Sequence, residues 1–279
     1  MTVTKKTLNT QIHPEDHSNQ PIGIFDSGLG GLSILKCIKE QLPNEQLIYI
    51  ADSLYAPYGD KSDDEIIERV NVIADALIKK GCKAIVIACN TATVIAIDQL
   101  RLRVSIPIIG VEPAIKPAVA LSKNIAILTT QATAKNKRFL ALVNKHKSDS
   151  NVHIQPCPGL VELIENNQLH SIKFEHLLKG YLLEVLKKNI DTIVLGCTHY
   201  PFFSDRIKHF VNNQITIMET ALPVTEQLKR QLTQHKLIAN THYFSNKQLQ
   251  YQFLSSQTNS ELTSIMSTLL NTPIKLSPF

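Results

Sequence analysis

The stretch "IVIACNTAT", residues 85 to 93, runs through aliphatic and β-branched residues and stops on Cys89, and "IVLGCTHYP", residues 193 to 201, stops in the same way on Cys197. Short apolar runs bounded by turn-forming residues are the mark of strands buried on both faces of a parallel sheet. Each thiol therefore falls at the carboxyl end of a strand and is followed at once by small polar residues. Around both stretches the chain alternates such runs with longer amphipathic segments. That alternation predicts an α/β fold with mostly parallel strands.

The order of segments also repeats, at an offset that stays near 105 residues. "IGIFDS" (22 to 27) answers "IAILTT" (125 to 130), and "QLIYIAD" (46 to 52) answers "NVHIQPC" (151 to 157) in pattern. The two thiol strands and their preceding helical stretches correspond, and "IPIIGVEPA" (106 to 114) answers "QITIMETAL" (214 to 222). A unit this long is one α/β half rather than a solenoid repeat. The expected arrangement is two halves related by a pseudo-two-fold axis, with ligand collected in the cleft at the strand carboxyl ends, where Cys89 and Cys197 face each other. The expected division is a polar, mobile extension over residues 1–20, a first domain over 21–113 plus 223–279, and a second over 114–222.

Composition narrows the function classes. The 279 residues are 43% hydrophobic and 19% charged, an ordinary globular composition. The net charge of +5 arises from 29 basic and 24 acidic residues scattered singly, which argues against a nucleic-acid partner. No apolar stretch reaches the roughly 18 to 20 residues that span a bilayer, and no hydrophobic segment near the start resembles a secretory signal. Five cysteines, an odd number with no CxxC pair, speak against a disulfide framework and against structural zinc, and place the chain in the cytoplasm. Cys37, Cys82 and Cys157 read as small core residues.

Cys89 and Cys197 read differently, because core packing has no need of two thiols at matched strand ends. N–H groups of a following helix are expected to favour a thiolate at each. "FDSGLGG" (25 to 31) opens a helix after the first strand and reads as a tight turn or an anion cradle. It fails as a dinucleotide fingerprint, since Ser33 holds the third glycine position and Asp26 would set a carboxylate beside a pyrophosphate. Asp52 would have been the ribose ligand of that reading. Asp26, close to a thiol, is instead expected to handle protons or bind an ammonium group, and His199 to act as acid or base beside Cys197. "APYGDKS" (56 to 62) is a turn whose N–H groups face the same strand ends, followed by "SDDE", a helix start.

These residues resemble the glutamate racemases of the cofactor-independent aspartate/glutamate racemase superfamily. "GIFDSGLGGLS", "APYGDKS", "ACNTAT" and "GCTHYP" occur in that family's order, and the likeness covers Ile22 to about residue 230. The resemblance implies Cys89 and Cys197 as catalytic thiols, assisted by Asp26 and His199. It implies that Ser27, Pro57, Tyr58, Gly59, Asn90, Thr91 and Thr198 hold substrate. In "TTQAT", Thr129 takes the family's glycine position, leaving Thr130 and Thr133 as carboxylate ligands. The family's second-half acid falls on Glu165, with Glu162 one turn earlier as the alternative. No metal, pyridoxal phosphate or nucleotide is implied, the substrate is glutamate, and a homodimer is a candidate assembly.

Two thiols suit an inversion at carbon. One base takes the α-proton from one face while an acid returns a proton to the other, and the roles then exchange. By resemblance Cys89 takes the proton from D-glutamate and Cys197 from L-glutamate, and the D-glutamate serves peptidoglycan synthesis. An aspartate or hydantoin-type racemase and a non-catalytic amino-acid-binding protein on the same fold are the competing readings.

Overall fold

The computed structural model describes residues 17–239 and 250–279. Strands β1 (Ile22–Asp26), β2 (Leu47–Ala51), β3 (Ala84–Ile87) and β4 (Ile108–Gly110) come first, then β5 (Asn124–Thr129), β6 (Asn151–Pro156), β7 (Thr192–Leu195) and β8 (Thr216–Met218), and finally β9 (Tyr251–Ser255) and β10 (Leu276–Pro278). They build two sheets, one ordered β10-β9-β2-β1-β3-β4 and the other β6-β5-β7-β8, with parallel pairings throughout. The order β2-β1-β3-β4 is thus repeated as β6-β5-β7-β8, which is the repeat read from the sequence.

Helices cover both faces of each sheet. Packed on one face of the first are α1 (Leu32–Gln41), α10 (Ala221–Gln234) and α11 (Ser260–Leu270); on the other lie α2 (Asp63–Lys79) and α3 (Asn90–Arg103). The second sheet carries α4 (Ile115–Leu121) and α6 (Lys137–His146) on one face, and α7 (Leu160–Glu165), α8 (Ile172–Leu186) and α9 (Ser204–Phe210) on the other. The short α5 (Gln131–Lys135) follows β5. Every residue of β1, β2, β3 and β7 is buried, as two-sided coverage requires of β-branched strands. Val94 of α3 joins the core of the second sheet, so the two halves share apolar contact.

Register sets what meets at the strand tips. Phe25 of β1 pairs with Ile87 of β3, so Ser27 and Cys89, each two residues further on, emerge side by side. Leu128 of β5 pairs with Leu195 of β7, and Thr130 and Cys197 emerge in the same way. In both sheets the chain turns outward in opposite directions from this central pair, which makes β1/β3 and β5/β7 the switch points where α/β sheets collect ligands.

The "SDDE" helix start is realised as a capping box on α2, in which Ser62 Oγ accepts from Glu65 N (3.3 Å) and Glu65 Oε2 accepts from Ser62 N (3.0 Å). The expectation of a polar, mobile stretch over residues 1–20 is corrected for its last four. His17–Asn19 form a 3-10 turn, Ser18 is buried, and its carbonyl accepts from Lys83 Nζ, which also pairs with the buried Glu45 carboxylate at 2.5 Å. A buried ammonium needs such partners, and they draw the chain onto the amino end of the sheet. Residues 1–16 of that expectation lie outside the described residues. No helix among the described residues is long and apolar enough to cross a membrane.

Candidate active site

Cys89 is the N-cap of α3. Its sulfur accepts from Ala92 N (3.5 Å) and lies 3.7 Å from Ser27 Oγ. The helix N-terminus expected behind this thiol is present. Burial nevertheless pushes the Cys89 thiol well up, Asp26 adds to the shift, and the Ala92 and Ser27 contacts only moderate it. Burial and Asp26 both favour the protonated form of Cys89.

Cys197 corrects the expectation of a capping helix at both thiols. Behind it comes a 3-10 turn, Tyr200–Phe203, capped by His199, and α9 begins only at Ser204. Its polar neighbour is a side chain: His199 Nδ1 lies 3.7 Å from Cys197 Sγ, and His199 Nε2 lies 2.5 Å from Glu165 Oε1. Burial works against a charged His199, but the hydrogen bonds to Cys197 and Glu165 and their charges outweigh it and hold the imidazole well above its ordinary range. Glu165, at the end of α7, is thus the acid that reaches the histidine; Glu162 does not.

The turn after β1 joins the halves. Glu165 Oε1 also accepts from Leu29 N at 2.7 Å, so one carboxylate oxygen binds the first half's loop and the second half's histidine. Asp26 Oδ2 accepts from Gly31 N (2.9 Å) and Gly28 N (3.3 Å). The anion cradle expected of "SGLGG" is real, but the protein's own two carboxylates fill it. Burial raises the Asp26 carboxyl, against the pull of His199 and of the Gly31 and Gly28 N–H groups. A Cβ on Gly28 would lie 2.1 Å from Glu165 Oε1, and one on Gly30 would lie 2.5 Å from His199 Nδ1, so the seating of Glu165 and His199 against this turn depends on both glycines.

A tight cavity of about 40 Å³ holds both thiols on its wall, together with Ser27, Asn90, Thr91, Thr130, Thr198 and His199. Pro57, Tyr58 and Gly59 close another side. Of the residues expected in the site, Asp26, Glu165 and Thr133 stand behind this lining. Thr133 acts through its neighbours: Thr91 Oγ1 lies 3.1 Å from Thr130 Oγ1 and 3.4 Å from Thr133 Oγ1, and Thr130 and Thr133 are 3.0 Å apart. This cluster of three hydroxyls spans both halves and offers donors to an anion. Asn90 Nδ2 donates to Val111 O (3.2 Å), and its Oδ1 has no partner among the described residues.

Sequence reasoning missed several wall residues, chiefly Asp60, Gln131, Cys157, Pro158 and Val161, and Glu162, the alternative to Glu165, lies on the wall as well. Cys82 and Cys157 are buried core residues as expected, whereas Cys37 is only half-buried, because its position on α1 faces away from the sheet's packing layer; Cys157, one residue past β6, also reaches the cavity wall as a third thiol at a strand end. Its matched position in the repeat, opposite Asp52, was the available signal. Burial pushes this thiol up strongly, with Cys197 adding to the shift. All five cysteines are free thiols. Among the described residues no group of three or more His, Cys, Asp or Glu is placed to share a metal ion.

Residues 22–250 match the family described as Asp/Glu/Hydantoin racemase. The chain belongs to this family. It is similar to the glutamate racemase of Ectopseudomonas mendocina (strain ymp), with 44% identity over 243 residues that cover 84% of this chain and 92% of the relative. Its fold is similar to a glutamate racemase from Bacillus anthracis, with a TM-score of 0.86 at 29% identity over 94% of this chain and 98% of that one. It is also similar to the glutamate racemase of Francisella tularensis, solved in complex with D-glutamate, with a TM-score of 0.80 at 31% identity over 93% of this chain and 97% of that one.

Two outcomes follow for a member of this racemase family built in this way. Gly28→Ala should leave the fold intact, because the displaced atom is the tip of a flexible side chain, yet it should push Glu165 off His199. Proton NMR of the imidazole against pH should then show His199 titrating lower than in the parent; an unmoved titration would contradict the contact. The second outcome concerns stability. A histidine raised on folding contributes stability that is fully present below its unfolded value of about 6.5 and is lost as pH rises through the folded value. The melting-temperature gap between the parent and Glu165→Gln should therefore be wider at pH 6 than at pH 9.

Proposed function

We propose that the protein is a glutamate racemase that interconverts L- and D-glutamate with two thiols and no cofactor, working in the cytoplasm to supply D-glutamate for peptidoglycan. The observation that carries this reading is that Cys89 and Cys197, at matched strand tips of two copies of one half, line the same small cavity. The glutamate racemases to which the chain is similar support glutamate as the substrate.

The chemistry proceeds as a proton exchange across one carbon. Starting from L-glutamate, Cys197 as thiolate takes the α-proton, the electron pair remains on the α-carbon and its carboxylate, and Cys89 delivers its own proton to the opposite face. The raised Cys89 thiol is the form needed to start in this direction. In the reverse direction Cys89 is the base and Cys197 the acid. His199, held protonated by Glu165, is the proton-bearing neighbour of Cys197, and Asp26 plays the corresponding part on the Cys89 side. Hydroxyls of Ser27, Thr91 and Thr198 and the Asn90 amide donate to the carboxylate on which charge develops, a kind of assistance worth about 3 to 4 kcal/mol per donor where such groups have been removed. The hydroxyl of Thr130, braced by that of Thr133 behind it, holds a substrate carboxylate.

Circular dichroism of L-glutamate with the purified protein should decay to zero, at a rate unchanged after dialysis against chelator. A persistent signal would overturn the activity, and a chelator-sensitive rate would overturn its independence of metal. The single variants Cys89→Ala and Cys197→Ala should each lose racemisation in both directions. Proton NMR in heavy water should still show Cys197→Ala exchanging the α-proton of D-glutamate, and Cys89→Ala that of L-glutamate. A single variant that racemises near the parent rate would refute the two-thiol mechanism.

A further inference from the structure

Tyr58 lines the cavity, yet its hydroxyl is turned away from it. Tyr58 Oη donates to Asp52 Oδ2 at 2.5 Å, and Asp52, fully buried one residue beyond β2, has no exposure to water. A carboxylate there needs a countercharge, which Arg69 of α2 supplies through two bonds: Nε to Oδ2 and Nη2 to Oδ1, both 2.9 Å. The guanidinium is itself braced, with Cζ 3.8 Å above the Tyr55 ring. Asp52 N donates to Asp26 O (2.9 Å), and Tyr55 N donates to Asp52 O (2.9 Å). One buried residue thus joins the tip of β1 through its backbone, and the helix α2 and the cavity-lining turn Tyr58–Asp60 through its carboxylate.

The protonation states suit this arrangement. Burial and the adjacent Asp52 push the Tyr58 phenol far up, so it stays protonated and donates. Burial works against the Arg69 charge, but Asp52 outweighs it. Gly59, next to the fixed tyrosine, packs against Thr130: a Cβ built on it would lie 3.6 Å from Thr130 Cβ. The turn therefore reaches the hydroxyl cluster assigned to a substrate carboxylate.

We infer that Arg69 is a positioning residue for racemisation: through Asp52 it fixes Tyr58, and with it the turn that completes the carboxylate subsite beside Thr130. The inference rests on the functional reading above. Arg69 touches no part of the cavity, so its effect belongs to substrate binding and not to proton transfer. Lysine is a poor substitute, because a point charge cannot bond both oxygens of Asp52 in one plane.

The test is steady-state racemisation of both enantiomers by the parent, Arg69→Met, Arg69→Lys, Tyr58→Phe and the Arg69→Met/Tyr58→Phe double variant. Loss of a hydrogen bond to a buried charged group predicts a KM increase of roughly tenfold in Arg69→Met and in Tyr58→Phe, with a smaller change in kcat. The double variant should be little worse than Arg69→Met, since both changes break one chain of contacts. Arg69→Gly should regain a low KM when guanidinium is added at concentrations that leave the parent unaffected. Should the Arg69 variants fail to fold, Tyr58→Phe, which removes only a hydroxyl, still carries the test. KM values at the parent level in folded variants, or a fall in kcat alone, would overturn the inference while leaving the activity standing. A parent protein inactive on glutamate would overturn the functional reading and this inference with it.

Discussion

Two pairs of parallel strands, β1 with β3 and β5 with β7, are held in one register up to the pairs Phe25–Ile87 and Leu128–Leu195, and the site depends on that register. A parallel ladder fixes neighbouring strands residue by residue, so a side chain two positions past the last paired residue of one strand meets its counterpart two positions past that pair on the next. Ser27 meets Cys89 for this reason, and Thr130 sits beside Cys197 for the same reason. A slip of one residue in either pair would turn a thiol into the sheet's packing layer and remove it from the cavity wall. The fully buried central strands make such a slip costly, because every residue along them is committed to a helix layer on one face or the other.

The scaffold is symmetric, while the polar partners of the thiols are not. Cys89 has a helix N-terminus and a serine hydroxyl, and Cys197 has a histidine backed by a carboxylate. The Glu165 oxygen that orients His199 also holds Leu29 N, so the second thiol's environment is complete only while the two halves are in contact. Burial of both thiols strengthens every such contact, since little water is present to compete. Two equivalent positions have in this way acquired different chemical surroundings.

The strands, their parallel order and the repeat were legible because buried β-branched runs and their spacing are local signals, as at residues 84–87 and 192–195. The thiols were legible because they break those runs at matched places. The partners of Asp52 were not: a carboxylate after a strand looks the same whether it meets a ribose or an arginine on the next helix, and only the packing of α2 decides. The same holds for the glycine-rich turn, whose N–H groups advertise an anion without saying that Asp26 and Glu165 supply it. Between Glu162 and Glu165, helical phase alone separates the acid on the cavity wall from the one bonded to His199, and that phase depends on how α7 is docked.

The chain passes from the first sheet to the second after β4 and returns before α10, so two separate covalent crossings join the halves. Mechanically this is a door on two pins. Rotation about the line through the crossings strains neither of them, whereas twisting or sliding one half against the other must stretch at least one. The ion pairs from Arg138 of α6 to Glu112 and Asp98 link the two halves beside the first crossing. Such a linkage leaves rotation about that line as the least restrained motion, and the bonds of Glu165 to Leu29 N and of Thr91 to Thr130, which cross between the halves, are the latches that hold the door.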